Sequence, residues 1–209
     1  MNRLTFHSSD GSEISPKKWL KIWGILTPGR DEQVYRDLID IAKHKSFSSR
    51  DVERIGRWKD NAWAAGKWKP DVAMVAYKIW RRAASELPEC PTDDKDAADF
   101  LNRWSQMNYT DVRKTGAVVK KRFGLARGTA LLHFISGGRY PLLDARVRTA
   151  VRRLLSSRAP NTVEWYLNVF YPLFRKIAAT CGTKDARTLD QALVRYGQFL
   201  DAAAKTHLR

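Results

Sequence analysis

One acidic residue stands in the most basic stretch of the chain. Between residues 112 and 160 the cations are Arg113, Lys114, Lys120, Lys121, Arg122, Arg127, Arg139, Arg146, Arg148, Arg152, Arg153 and Arg158, and the only carboxylate is Asp144. A solvated helix face ordinarily interleaves both signs, so that residues one turn apart attract. Here self-repulsion is tolerated, and a polyanionic partner is the simplest compensation. A carboxylate so placed can do two kinds of work. It can cap the helix that the pattern starts at Asp144 by accepting from a free backbone amide. It can also stabilise positive charge developing on a bound molecule and take a proton from water. The two are compatible, because a cap fixes the carboxylate in space.

Upstream, Phe123-Gly124-Leu125-Ala126-Arg127-Gly128-Thr129-Ala130 reads as a tight turn entering a helix. The free amides of a helix start attract phosphate or carboxylate oxygens. Gly124 lets the backbone come close to a ligand, and Arg127 adds a charge. The competing reading is a plain helical connection inside the core.

That octet, followed by Pro141-Leu142-Leu143-Asp144 and Val147, resembles the helix-hairpin-helix DNA glycosylase superfamily, with the adenine-glycosylase branch nearest. Members carry a Gly-hydrophobic-Gly hairpin, a Thr-Ala opening the next helix, and a Pro-x-x-Asp segment ending in the catalytic carboxylate. The likeness spans residues 110–155. The resemblance implies an all-α, two-lobed helical fold. Residues 75–155 would form the hairpin lobe with the catalytic Asp, and 1–74 plus 156–209 the other. It implies Asp144 as the catalytic group, with Gly124, Ala126, Arg127, Gly128, Thr129, Arg146 and Arg148 against the DNA backbone. The chain departs from the pattern twice. Ala126 replaces the second hairpin glycine. Gly128 occupies the position of the Schiff-base lysine of bifunctional members, so a monofunctional enzyme is implied, with water as nucleophile and an abasic site as product.

Such an enzyme must hold a nucleotide rotated out of the duplex, and aromatic rings do this by stacking. In the superfamily the loop after the corresponding N-terminal helix supplies the wedge and part of the pocket. Trp58, Lys59, Asp60 and Asn61, with Trp63 and Trp68, lie where that loop would fall. The alternative for any of these tryptophans is the core, and Trp80, at helical spacing from Tyr77, is expected there. The tryptophan-rich loop differs from the common repair branches and points to an unusual or modified base. Excision of such a base would serve repair, or defence against phages with modified DNA. Two readings compete: a non-catalytic hairpin module that binds DNA, and a basic RNA-binding protein.

The elements that position these residues are read as helices. Ser15-Pro16 starts one that runs to about residue 26, and a second spans 31–45. A third follows Ser48-Ser49 to about Asp60, and a fourth runs from Pro70 to about Leu87, where Pro88 and Pro91 follow. Thr92 is expected to cap a helix over 93–106. Thr110-Asp111 reads as the start of a helix to Arg122, which Gly124 breaks. Helices are then expected from Arg127 to Gly137-Gly138, from Asp144 to Leu155, from an Asn161 cap to about Thr180, and from about Leu189 to Lys205. Residues 61–70 fit no element well. No stretch shows a convincing two-residue alternation, so no strand is expected.

The 209 residues carry 38 Lys+Arg against 22 Asp+Glu, a net charge of +16. That excess predicts attraction to a polyanion without saying which one; the resemblance implies double-stranded DNA, and a monomer is expected. Cys90 and Cys181, the only cysteines, cannot supply the four ligands of the iron–sulfur cluster found in some relatives. No His, Cys and Asp set has metal-ligand spacing, so no metal or other cofactor is expected; the resemblance allows a monovalent cation on the hairpin carbonyls. His133, between Leu132 and Phe134, is expected to be a satisfied buried imidazole. No apolar run reaches membrane length, and MNRLTFHSSDGSE contains no signal-like apolar core, so a cytoplasmic, nucleoid-associated place is expected.

Overall fold

The computed structural model describes residues 4–25, 30–44, 47–60, 70–112 and 118–206. In chain order the helices are α1 (Pro16–Trp23), α2 (Arg30–His44), α3 (Ser49–Lys59), α4 (Pro70–Glu86), α5 (Asp94–Gln106), α6 (Leu125–Ile135), α7 (Ala145–Leu155), α8 (Val163–Trp165), α9 (Tyr171–Cys181) and α10 (Ala186–Thr206). A π-helical stretch, Tyr166–Phe170, joins α8 to α9, and strands β1 (Asn108–Val112) and β2 (Val118–Arg122) lie between α5 and α6. The described residues are therefore mostly helical. They fall into two compact units, Pro28–Tyr140 and Met1–Thr27 with Pro141–Arg209. No helix among them is long and apolar enough to cross a membrane.

The Pro28–Tyr140 unit is built around α6. Leu125 and every residue from Gly128 to Ile135 of this helix are buried, the pattern of a central helix rather than an amphipathic surface one. Helices α2, α3 and α5 pack against it. Tyr35 and Trp58 meet Phe134 at ring separations of 5.4 and 4.9 Å. His133 donates from Nδ1 to the Tyr140 carbonyl at 2.7 Å, so its Nε2 accepts from the Tyr35 hydroxyl at 2.9 Å. This is the satisfied buried imidazole that its neighbours lead one to expect. Gly137 and Gly138, at φ of 63° and 86°, end the helix, and the Gly138 amide donates to the His133 carbonyl at 2.8 Å. That left-handed step is nearly free for glycine. At the start of α5 the cap is Asp93 rather than Thr92: its carboxylate accepts from the Asp96 amide at 2.8 Å, while the Thr92 hydroxyl donates to the Asp96 carboxylate.

The expected helix over 110–122 is replaced by an antiparallel pair, in register from Asn108↔Arg122 to Val112↔Val118. The Thr-Asp start signal is outweighed by Tyr109, Thr110, Val112, Val118 and Val119, whose β-branched or aromatic side chains favour a pleated backbone. Main-chain bonds continue the pairing at the base of the ribbon. The Phe123 amide donates to the Met107 carbonyl at 2.9 Å and the Gly124 amide to the Ser105 carbonyl at 3.1 Å. Helix α5 is thus the partner of α6 across the turn, and the ribbon is inserted between them.

In the other unit α7 and α10 pack along their lengths. Their approach is closest at Gly197, where an added Cβ would stand 2.0 Å from the Arg146 carbonyl oxygen and 2.7 Å from its carbon. Trp19 of α1 meets Phe6 and Tyr196 at 5.4 and 5.7 Å. Thr162, rather than the expected Asn161, caps α8 by accepting from the Trp165 amide at 3.2 Å. Gly182, at φ 70°, closes α9. Helix α10 begins at Ala186, earlier than expected, because Asp185 accepts from the Arg187 amide at 2.9 Å.

The division differs from the expected borders near 74 and 155. Rings from α2 and α3 are packed on Phe134 of α6, which draws both helices into the hairpin-bearing unit. The Gly197 contact draws α7, with Asp144, into the unit formed by the chain's ends.

Candidate functional site

At the hairpin, Gly124 has φ 80° and ψ 158°, a region essentially reserved for glycine, and offers no side-chain cap to α6. A Cβ built on it meets nothing within 4 Å among the described residues, so the backbone there is open to them on that side. Ala126 is half-buried, and its carbonyl accepts from the Thr129 hydroxyl at 3.2 Å. Thr129 is completely buried. Gly128 is buried too, its missing side chain facing Leu101 at 3.5 Å and Ser105 at 3.8 Å on α5. Position 128 is thus a glycine that packs helix against helix.

The guanidinium of Arg127 is engaged within the unit. Its Nε donates to Asp60 Oδ2 at 2.7 Å and its Nη1 to the Phe123 carbonyl at 3.2 Å. The same Asp60 oxygen accepts from Trp80 Nε1 at 2.8 Å. Asp60 ends α3, and one turn earlier Gly56 lies against the Trp80 ring, with a notional Cβ 2.4 Å from Cγ. Glycine at 56 lets the indole lie on α3, the indole reaches Asp60, and Asp60 holds the arginine that braces the turn. A carboxylate sharing two donors inside a protein is strongly held.

The proposed pocket residues separate. Trp58 is half-buried in the Tyr35–Phe134 cluster, Lys59 is half-buried, and Asp60 belongs to the brace just described. Trp80 is wholly buried and meets Phe123 at 4.8 Å, in the core as its spacing indicates. Asn61, Trp63 and Trp68 lie outside the described residues.

Asp144 caps α7. Its backbone is extended, at φ −131° and ψ −176°, and Oδ1 accepts from the Val147 amide at 2.9 Å. The residue is half-buried. Leu142 and Leu143 before it are buried, and the carbonyl of Pro141 accepts from the Tyr166 hydroxyl at 2.7 Å. After it, Val147, Ala150, Val151 and Leu154 form the buried stripe of α7. Arg146, Arg152 and Arg153 are exposed, as is Arg158 beyond the helix. Arg148 is half-buried, and its Nε is shielded from solvent with no hydrogen-bond partner among the described residues. One helix therefore presents a fixed carboxylate at its start and a row of guanidinium groups along its outer side.

Sequence reasoning missed Tyr166 and Gly197. The first gave no local signal. The second did, because a lone glycine inside a long helix costs about 1 kcal/mol against alanine and so implies a packing reason. Among the described residues no group of three or more His, Cys, Asp or Glu could hold a metal ion. Burial raises the Cys181 thiol to about 11 and pushes the Cys90 thiol up as well, so neither is tuned as a nucleophile. No protein-family model matches the chain, and neither a curated protein nor a solved structure matches it significantly.

Proposed function

We propose that the chain is a monofunctional DNA glycosylase with a two-lobed helix-hairpin-helix glycosylase fold. It would excise an unusual or modified base and leave an abasic site, in repair or in defence against modified phage DNA. The observation that carries the reading is Asp144: a carboxylate held rigidly by the Val147 amide at the head of a helix whose exposed side is arginine, directly after Pro-Leu-Leu. In the reaction, water oxygen bonds the anomeric carbon as the glycosidic electron pair leaves with the base. Asp144 stabilises the positive charge that builds on the sugar and takes the water proton, which then passes to the departed base. The exposed arginines of α7 and the backbone at Gly124 would contact phosphates, and Gly128, packed on α5, offers no amine of its own for a Schiff base. The partner is double-stranded DNA, bound by a monomer in the nucleoid, with an affinity that falls steeply with salt.

Asp144→Asn tests it. Asn is a nearly isosteric cap, so α7 and the fold survive. The charge does not, and excision should fall about a hundredfold or more while duplex binding is kept or tightened. The measurement is free base released from DNAs carrying diverse modifications, followed by alkaline cleavage at the abasic site. Wild-type excision by Asp144→Asn would leave the carboxylate a cap only. The Val147 bond also favours a second reading, a non-catalytic module that binds DNA, since it gives Asp144 a structural task of its own. No base released from any DNA by the wild type, with duplex binding intact, selects that reading; preference for RNA over duplex DNA selects an RNA-binding protein.

A further inference from the structure

We propose that Tyr166 is a positioning residue for Asp144: its hydroxyl, aimed by the π-helical stretch, holds the Pro141 carbonyl and thereby sets where the Pro141–Asp144 segment delivers the carboxylate. What that carboxylate does rests on the glycosylase reading. What holds it does not.

Pro141, Leu142 and Leu143 are buried and belong to no helix or ladder. A buried carbonyl in such a segment must find a donor outside regular structure. The donor is the Tyr166 hydroxyl at 2.7 Å, on a side chain with no exposed surface. Leu142 and Leu143, at 4% and 1% exposure, leave little room for a sideways shift to be absorbed before Asp144. Asp144 is thus held from two directions, upstream through Pro141 and downstream by the Val147 amide at 2.9 Å.

The π-helical stretch explains how the hydroxyl arrives there. The Tyr171 amide donates to the Tyr166 carbonyl, five residues back. Trp165 and Phe170, also five apart, stack at 5.8 Å and 11°. In an α-helix of 3.6 residues per turn those side chains would point about 140° apart. The widened turn therefore re-phases Trp165 and Tyr166 relative to α9. Phe170 and Phe174 keep their place in the core while Tyr166 turns to Pro141. Wide turns of this kind are rare overall but frequent at functional sites.

The test is Tyr166→Phe, which keeps the ring and removes only the hydroxyl. Hydrogen exchange is followed at the Val147 amide, whose bond to Asp144 reports the position of the carboxylate, and at Ile177 and Leu193 as controls for α9 and α10. Exchange at Val147 should quicken about tenfold with the controls unchanged. Base release at saturating DNA should slow roughly ten- to a hundredfold, as expected for a misplacement of the order of 1 Å, with duplex affinity the same within about twofold. Unchanged exchange at Val147 overturns the proposal. So does protection lost equally across α9 and α10, which would make the hydroxyl a general stabiliser. If the wild type releases no base, exchange alone decides the positioning role, and only the glycosylase reading falls.

Discussion

In the Pro28–Tyr140 unit the tightest glycine contact is with a side chain: Gly56 lies on the Trp80 ring. In the unit formed by the chain's ends it is with backbone: Gly197 lies on the Arg146 carbonyl. The same contrast runs through the two candidate sites. The hairpin is braced by polar side chains, Trp80 and Arg127 converging on Asp60. Asp144 is set by main-chain geometry, with a cap on the Val147 amide, a hydroxyl on the Pro141 carbonyl and helix against helix at the first turn of α7. Under the proposed function the two sites would have different demands. A phosphate-binding turn tolerates small adjustments, because its donors are several and its partner is solvated and mobile. A carboxylate that stabilises developing charge must be fixed beforehand, since reorganisation at the moment of reaction is what preorganisation avoids.

If that contrast holds, the largest single effect comes from Gly197→Ala. A methyl group 2.0 Å from a carbonyl oxygen cannot be accommodated by rotating a side chain, so α7 and α10 must move apart. Overpacking of this kind, against backbone, should cost about 3 kcal/mol or more and lower Tm by roughly 10 °C in thermal unfolding. Base release should fall further than the folded fraction does, because the shift occurs two residues after Asp144, in the first turn of the helix it caps. A Gly197→Ala protein with wild-type Tm would remove the argument that backbone packing sets Asp144.

The hairpin helix α6 and the start of α7 were legible in the sequence because their signals are local. The Gly137-Gly138 stop and the Asp144 cap are each written within a few residues of the element they bound, and both appear where expected. The supports are not local. Arg127 is 67 positions from Asp60, and Tyr166 is 25 from Pro141. No periodicity links such pairs, so Arg127 read as a free cation at a turn when it is an internal brace. The ribbon at 108–122 failed for another reason. Its Thr-Asp pair and its cations suit a helix start and a helix surface, and only the clustering of β-branched residues around them argued for strands. What holds Gly124 and Asp144 in place therefore had to come from the fold.

Asp60→Ala tests the polar half of the comparison. It leaves Trp80 Nε1 and the Arg127 guanidinium without their shared acceptor. The side chain of Arg127 is 25% exposed and that of Asp60 11%, so water can recover part of the loss. The expected cost is about 2 kcal/mol, below that for a fully buried ion pair. Asp60→Asn should cost less, since its carbonyl can still accept from one donor. With the brace gone, Arg127 is released toward solvent. Duplex affinity in filter binding should then stay level or rise slightly, because a cation is freed as the turn loosens. A large fall in affinity in a folded Asp60→Ala protein would mean that the carboxylate holds the turn in its binding geometry more strictly than the contrast allows.

The smallest effect is expected at Gly124→Ala, and it distinguishes backbone strain from blocked approach. At φ 80° and ψ 158° any side chain is strained, and holding a non-glycine residue there costs on the order of 1–3 kcal/mol. Some of that is relieved, because the Gly124 amide is held by the Ser105 carbonyl while no described residue lies within 4 Å of the new methyl, so the turn can relax outward. Stability should therefore fall by only about 1 kcal/mol, at the low end of the range. Binding provides the second measure. If phosphate approaches the open side of Gly124, alanine should weaken the duplex severalfold and valine more, with the affinity loss growing faster than the stability loss. Denaturant unfolding and salt-matched binding on the Gly, Ala and Val series separate the two. Affinity that tracks stability one for one would assign Gly124 to the fold alone and leave the arginines of α7 as the phosphate contacts.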